Sequence, residues 1–324
     1  ATVPKFGLRW QPLARQLTVR SSFSRGFREP SLFELYSSPI SVLTPIVDPR
    51  DGFVEPEQPV VLRGNRRLAA ERTRYFNAGL IWSPTSPRFK GLSFGADFWV
   101  VTRDGTVEAN PQNTVNRAFG LVPGGLLPGE DIHFSSSGGL SLVEAVFYNV
   151  GRTRVEGWDL SGGYQLPTDA LGRWEISTVW TRVTRFARAA VSGAPLQSVL
   201  GLDSTGVGAD GYLKLKGRVQ LSWAYRGLGA HLVGHYTDGF ADLDPAGAPY
   251  QVRDRFVIDT HWSYTFRDSR RPRLRDTKIA VGVRNLFDWD PPQAYGGGAN
   301  TTGYPGYLYT AENRFWYVSL GRKF

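Results

Sequence analysis

The sequence predicts an all-β protein, a transmembrane antiparallel up-and-down β-barrel. Three observations predict it. Apolar and polar residues alternate with a period of two over stretches of about ten residues, many times along the chain. The connections between these stretches alternate between short and long. Trp10, Trp82, Trp158, Trp180, Trp223 and Trp316 fall near the ends of the apolar stripes, where a membrane barrel carries its interfacial aromatic girdle.

The alternation marks eleven strands, near 4–11, 16–25, 71–83, 91–103, 153–166, 172–185, 213–225, 228–240, 254–266, 276–287 and 312–324. In the second, Leu17, Val19 and Phe23 oppose Thr18, Arg20 and Ser22. In the fourth, Leu92, Phe94, Ala96, Phe98 and Val100 oppose Ser93, Gly95, Asp97, Trp99 and Val101. In the ninth, Phe256, Ile258, Trp262, Tyr264 and Phe266 share a face interrupted only by Thr260. In the last, Trp316, Val318 and Leu320 lead to a terminal Phe324, with Arg322 as the polar exception. Strands of this length with apolar-out, polar-in faces match a tilted crossing of a bilayer.

Short connections lie at 12–15, 84–90, 167–171, 226–227 and 267–275, and long ones near 26–70, 104–152, 186–212, 241–253 and 288–311. A membrane barrel has tight turns on one side and long extracellular loops on the other. A soluble β-sandwich would also alternate, but nothing in its construction sorts connections by length in this way. Only a closed sheet satisfies its backbone groups in lipid. Single-chain bacterial barrels have an even strand number. Eleven therefore reads as part of a larger barrel whose other strands precede Ala1.

The totals agree. The 324 residues contain no cysteine, so there is no disulfide framework, cysteine metal site or thiol nucleophile, and no methionine. "ATVPKFGLRW" has neither the basic start nor the apolar core of a signal peptide, so a fragment lacking its N-terminal part is expected. No apolar run reaches the roughly 18 residues of a spanning helix. The formal charge is +9. The basic residues form no continuous stripe of the kind that tracks nucleic-acid phosphates, so no nucleic acid is expected. Anionic lipid headgroups or an anionic ligand suit scattered arginines better.

Three stretches carry a family resemblance. "VRSSFSRGFREPSLFELY" (19–36) holds Gly26-Phe27-Arg28-Glu29-Pro30-Ser31 and Glu34-Leu35-Tyr36. "GNRRLAAERTRYFNAGL" (64–80) holds a Gly-Asn-x-x-Leu block running to Glu71, with Ala70 where a proline is usual. "VGVRNLFDWDPP" (281–292) holds Asn285-Leu286-Phe287-Asp288 before two prolines. Together, in this order and ahead of a final strand ending in phenylalanine, they resemble TonB-dependent outer-membrane receptors.

That resemblance implies the C-terminal half of a barrel of about 22 strands. It also implies a bacterial outer-membrane location, surrounded by lipid and lipopolysaccharide. It implies a plug and a TonB-contacting segment upstream, and uptake of a scarce large solute. An iron–siderophore complex is the default, with cobalamin, haem, nickel complexes or oligosaccharide as alternatives. A passive porin-like barrel is the alternative of another class. The motif residues read as structural: Gly26 for an unusual turn, Pro30 to end pairing, and Arg28 to meet a headgroup phosphate or a lumenal carboxylate. Trp316, Val318, Leu320 and Phe324 resemble the terminal signal read by the barrel-assembly machinery.

Two sets of residues are candidates for ligand handling. His231 and His235 share strand parity, and a regular hairpin would bring His235 nearly opposite Asp259 or His261 in the lumen. Histidine and carboxylate are metal-ligand types, but a polar lumen that hydrogen-bonds water and a plug explains them more simply. Tyr295, Tyr304, Tyr307 and Tyr309 in the last long loop have the chemistry to stack on a catecholate, another aromatic siderophore or a sugar. No catalytic constellation is present, so neither an enzyme nor a cofactor is expected.

Overall fold

The computed structural model describes residues 2–14, 16–168, 170–189, 194–202, 213–244, 248–266, 274–295, 303–306 and 308–322. Eleven strands follow one another in a single antiparallel sheet. They are β1 (Lys5–Trp10), β2 (Leu17–Arg28), β5 (Glu71–Trp82), β6 (Leu92–Glu108), β9 (Tyr148–Thr168), β10 (Gly172–Ala189), β12 (Leu215–Tyr225), β13 (Leu228–Thr237), β16 (Arg255–Thr265), β17 (Thr277–Arg284) and β18 (Phe315–Arg322). Strands are numbered in chain order, and the remaining numbers belong to strands in the long connections. Each strand pairs with its sequence neighbour in this path, as an up-and-down barrel wall requires. Among the described residues the wall is open, with β1 and β18 as its edges.

Register confirms the two faces. Phe6 lies opposite Phe23, Phe23 opposite Phe76, Phe76 opposite Val100, and Phe98 opposite Trp158. At the far edge Ile279 faces Leu320, Val281 faces Val318 and Val283 faces Trp316. This apolar face is open: Leu8 is 67% exposed and Val318 75%. An apolar surface this extensive is not stable against water, and it suits the hydrocarbon of a bilayer.

The opposite face is polar and self-paired. Arg20 donates from Nε to Asp97 Oδ1 at 2.8 Å, and Thr181 donates to Asp159 at 2.7 Å. One glycine on this face is obligatory. A Cβ on Gly79 would collide with the Asp97 carboxylate and lie 2.7 Å from the Ala96 carbonyl oxygen.

The described short connections between neighbouring wall strands lie at one end of the sheet. Between β12 and β13 the chain reverses through Arg226 (φ 46°) and Gly227 (φ 93°) alone. Two positive φ values in a two-residue loop match the twist of the flanking strands.

The long connections at the other end have structure of their own, which hydrophobic periodicity did not reveal. The first holds helix α1 (Leu32–Tyr36), β3 (Ile40–Val47) and β4 (Val54–Arg63). The second holds helix α2 (Pro111–Ala118), β7 (Asp131–Phe134) and β8 (Leu140–Val146). They join in one four-stranded sheet of order β3-β4-β8-β7, in which β4 and β8 run parallel. Ile46, Val60, Val115 and Val143 make its core. Beside that core Arg117 donates to the equally buried Glu130, which also accepts from Thr114 at 2.8 Å. A shorter hairpin, β14 (Phe240–Leu243) with β15 (Pro249–Val252), lies between β13 and β16.

Candidate functional site

The three sequence motifs converge on the loop end of the wall. Arg28, the last residue of β2, points to the lumenal side. Its guanidinium donates to both Glu34 oxygens at 3.0 Å and to Glu71 Oε1 at 2.6 Å. Glu71 is 2% exposed and also accepts the Val107 backbone N–H at 2.9 Å. Of the two partners expected for Arg28, the lumenal carboxylate is the one found.

Ser31 caps α1. Its hydroxyl accepts the Glu34 N–H, and the Glu34 carboxylate accepts the Ser31 N–H at 2.6 Å. This reciprocal box explains why serine and glutamate stand three apart. The Arg28 guanidinium, burial working against it, and the Ser31 bonds together hold the Glu34 carboxyl down at about 2. Pro30 lies just beyond the end of β2. Gly26 departs from expectation. It is a regular strand residue opposite Thr73, and a Cβ there would meet only the Thr73 Cβ at 3.9 Å. Its backbone makes no unusual turn. Phe27 is exposed on the outer face.

Asn285-Leu286-Phe287-Asp288 forms the turn that ends β17, with Asn285 and Asp288 both at positive φ. The Asn285 side chain donates to the Trp289 carbonyl and accepts its N–H, both at 2.9 Å. Leu286 N–H bonds the Ile258 carbonyl, Phe287 stacks on Trp289, and Asp288 accepts the Arg314 N–H. Asparagine and aspartate suit these positions because their short side chains bond the nearby backbone and tolerate this conformation.

The lumenal histidines divide into two groups. His235 is in register with Val257 and lies diagonal to Asp259, with Nε2 3.3 Å from Oδ2. His261 is in register with His231 rather than His235. Its ring is 5.9 Å from that of His231, and its Nδ1 lies 3.0 Å from the Tyr317 hydroxyl. No cluster of three or more metal-ligating side chains occurs among the described residues.

His235 and Asp259 belong to a cavity of about 240 Å³ at the base of the last long loop, with Lys216, Arg255, Arg284, Asn285, Tyr309 and Glu312 also in its walls. Arg255 donates to the Trp289 carbonyl at 2.8 Å and lies 5.8 Å from the Tyr309 ring centre. The Arg255 Nε and the Tyr309 hydroxyl are both buried with no hydrogen-bond partner among the described residues. Arg284 is paired at 3.5 Å with Glu312, whereas Lys216 and Arg255 make no salt bridge among the described residues. With Lys216, Arg255 and Arg284 against Asp259 and Glu312, the cavity wall carries an excess of positive charge. Arg255 and Lys216 escaped the sequence reading because only their inward parity marked them.

The tyrosines do not form one open platform. Tyr309 packs in a core with Phe240, Val252 and Ala294, and burial pushes its hydroxyl up to about 12. Tyr304 packs against that core. Tyr295 is 37% exposed and meets Tyr250 edge-on at 5.1 Å. Tyr307 and Phe324 lie outside the described residues, and Trp316, Val318 and Leu320 stand on the outer face of β18.

A family model described as "TonB dependent receptor-like, beta-barrel" matches residues 1–286. No curated protein matches the chain. Among solved structures the chain is similar to the ferric enterobactin receptor of Pseudomonas aeruginosa, solved with enterobactin, at 18% identity and a TM-score of 0.62, covering 98% of this chain and 40% of that one. It is similar to the siderophore receptor PirA of Acinetobacter baumannii at 14% identity and a TM-score of 0.61, over 98% and 40% of the two chains. The FrpB iron transporter of Neisseria meningitidis gives 13% and 0.57, over 99% and 38%. The chain thus spans about two-fifths of the length of each of these structures.

Proposed function

This chain belongs to the TonB-dependent receptor-like β-barrel family of the bacterial outer membrane, and from that premise we propose that it forms barrel wall and loops of a receptor for active uptake of a scarce, large, anionic solute. An iron–siderophore complex is the substrate class favoured. The single observation that carries this reading beyond the family is the cavity at the base of the last loop. There Lys216 and Arg255 face the lumen without carboxylate partners among the described residues. An excess of positive charge in a partly closed wall is costly, and an anionic ligand relieves it. Iron chelates built on catecholate or carboxylate oxygens are of that kind.

In this reading, further strands complete the wall at β1 and β18, a plug fills the lumen, and TonB supplies energy through the plug. Trp316, Val318, Leu320 and Phe324 serve as the terminal strand read by the assembly machinery. His235 and His261 are lumen lining, not metal ligands. Cobalamin, haem and oligosaccharide are the competing solutes, and a passive pore is the competing class.

The test is uptake of radiolabelled iron–siderophore by iron-starved cells with the gene deleted, or with TonB removed. Loss of uptake in both supports the reading. Uptake that depends on the gene but persists without TonB establishes the passive pore. No response to deletion across catecholate, hydroxamate and carboxylate chelates overturns the siderophore assignment.

A further inference from the structure

The cavity at the base of the last loop is small for the cargo of a receptor. Sites that enclose a drug-sized ligand run from about 300 to 1,000 Å³, and this one is about 240 Å³. It has room for one branch of a large solute and not for a whole metal chelate.

Two donors in its wall are held in place with nothing to bond. Arg255 opens β16, and its Nη2 donates to the Trp289 carbonyl at 2.8 Å. That carbonyl also accepts the Asn285 side-chain amide at 2.9 Å. Both its lone pairs are then used, and it cannot take the Arg255 Nε–H as well. The Nε is buried and has no partner among the described residues. Tyr309 is 4% exposed. Its ring is fixed by Phe240, Val252 and Ala294, and its backbone N–H bonds the Pro305 carbonyl at 3.1 Å. The hydroxyl is therefore not free to swing out to solvent, and it too is buried without a partner among the described residues. A buried donor without an acceptor is destabilising. Two of them beside one cavity mark where an acceptor belongs.

The carboxylates of the wall are engaged elsewhere. Asp259 accepts the Asn285 N–H at 2.9 Å and lies 3.3 Å from His235, and Glu312 is paired with Arg284. Asp290 acts on Arg255 only through space. Lys216, in the same wall, makes no salt bridge among the described residues. A guanidinium only donates, and a phenol beside it is oriented to donate as well. The group that fits is an acceptor and an anion. The Tyr309 ring offers no stacking surface, because the core packs against it and the Arg255 guanidinium lies 5.8 Å from its centre. A flat carboxylate with two oxygens meets these requirements. A catechol ring does not, and the oxygens of a hydroxamate are committed to the metal.

Resting on the uptake reading, we propose that this cavity is a subsite for one free carboxylate of the solute, a carboxylate outside the metal's coordination shell, bound by the Arg255 Nε–H and the Tyr309 hydroxyl with Lys216 adding charge. The receptor then selects iron chelates that keep such a carboxylate over tris-catecholate and tris-hydroxamate chelates that have none. Charge-assisted hydrogen bonds are about twice as strong as neutral ones, so the free carboxylate is a selective element and not a minor contact.

The experiment is titration of the full-length receptor, purified in detergent, with a ferric α-hydroxycarboxylate chelate bearing one free carboxylate. The second probe is the same chelate with that carboxylate converted to its methyl amide, and the third is a ferric tris-hydroxamate. The free carboxylate is expected to bind at least tenfold more tightly than either of the others. Arg255→Gln is expected to weaken its binding about tenfold, and Tyr309→Phe and Lys216→Gln severalfold. In Arg255→Gln the step from carboxylate to amide is expected to cost little, since the two changes remove one interaction. Tyr309→Phe, which deletes only the unpartnered hydroxyl, carries the test if Arg255→Gln does not fold. Equal binding of carboxylate and amide by the parent, or unchanged affinity in the variants, would mean that the cavity holds water only and would overturn the proposal. Uptake that depends on the gene and on TonB for a tris-hydroxamate or tris-catecholate chelate, but not for the carboxylate chelate, overturns this subsite and leaves the transport reading intact. Absence of gene-dependent uptake for every chelate is the separate failure of that reading.

Discussion

Arg28 and Glu71 stand 2.6 Å apart at the point where two of the sequence motifs meet, and the carboxylate is almost fully buried while the guanidinium is half exposed. The pair therefore has an asymmetric energetics. Removing Arg28 strands a buried carboxylate, whose remaining cation, Arg103, is 3.9 Å away. Removing the other partner of Arg28, Glu34, leaves Glu71 satisfied. Arg28→Ala is expected to cost about 2–4 kcal/mol and Glu34→Ala about 1 kcal/mol or less, measured by urea unfolding in micelles. Equal losses would show that Glu71 is not the dominant partner.

The Glu34 carboxyl sets a pH window for the docking of α1. Its value in the folded protein, about 2, lies below the ordinary 4.5. The depressed value means that its contribution is complete above about pH 4.5 and disappears as pH falls through 2. Protease nicking of the 29–39 segment is therefore expected to be unchanged from pH 7 to pH 5 and to rise only in strong acid, tested with pepsin at its active end and a neutral protease above. Release of the helix at pH 5 would show that the Arg28 contact does not hold it.

Gly79→Ala is expected to destabilise the wall by about 1–3 kcal/mol, the usual range for overpacking. The new methyl group cannot avoid the Ala96 carbonyl, and it displaces Asp97 from Arg20. Gly26→Ala, in open space beside Thr73, is expected to change stability by less than about 0.5 kcal/mol. Thermal unfolding of the two variants side by side tests the contrast.

Tyr309→Phe removes a buried hydroxyl that has no partner among the described residues. Deleting an unpaired polar atom is neutral or favourable, so the variant is expected to unfold at the parent's temperature or slightly above it. A drop worth more than about 1 kcal/mol would reveal a hydrogen bond to bound water or to the lumen's ligand.

Much of the wall was legible because each of its strands is set by its own residues. Phe94, Ala96, Phe98 and Val100 announce a two-faced strand without reference to any other segment, and so do Trp316, Val318 and Leu320. The loop sheet was hidden for the converse reason. Val60 and Val143 become one core only by pairing strands that lie far apart in the chain. The histidine register was half legible: parity placed His231, His235 and His261 inward, but which stands opposite which depends on the length of the β14–β15 connection. Arg255 and Lys216 stand out from other inward cations by lining one cavity with His235 and Asp259, and that is a property of three dimensions.

The parallel pairing of β4 with β8 carries a mechanical consequence. It stitches together connections that emerge from two different hairpins, and α2 packs beneath the seam. Neither connection can swing aside alone without exposing Val60 and Val143 to water. Displacement of one connection therefore carries the other with it. Segments tied in this way open as a unit.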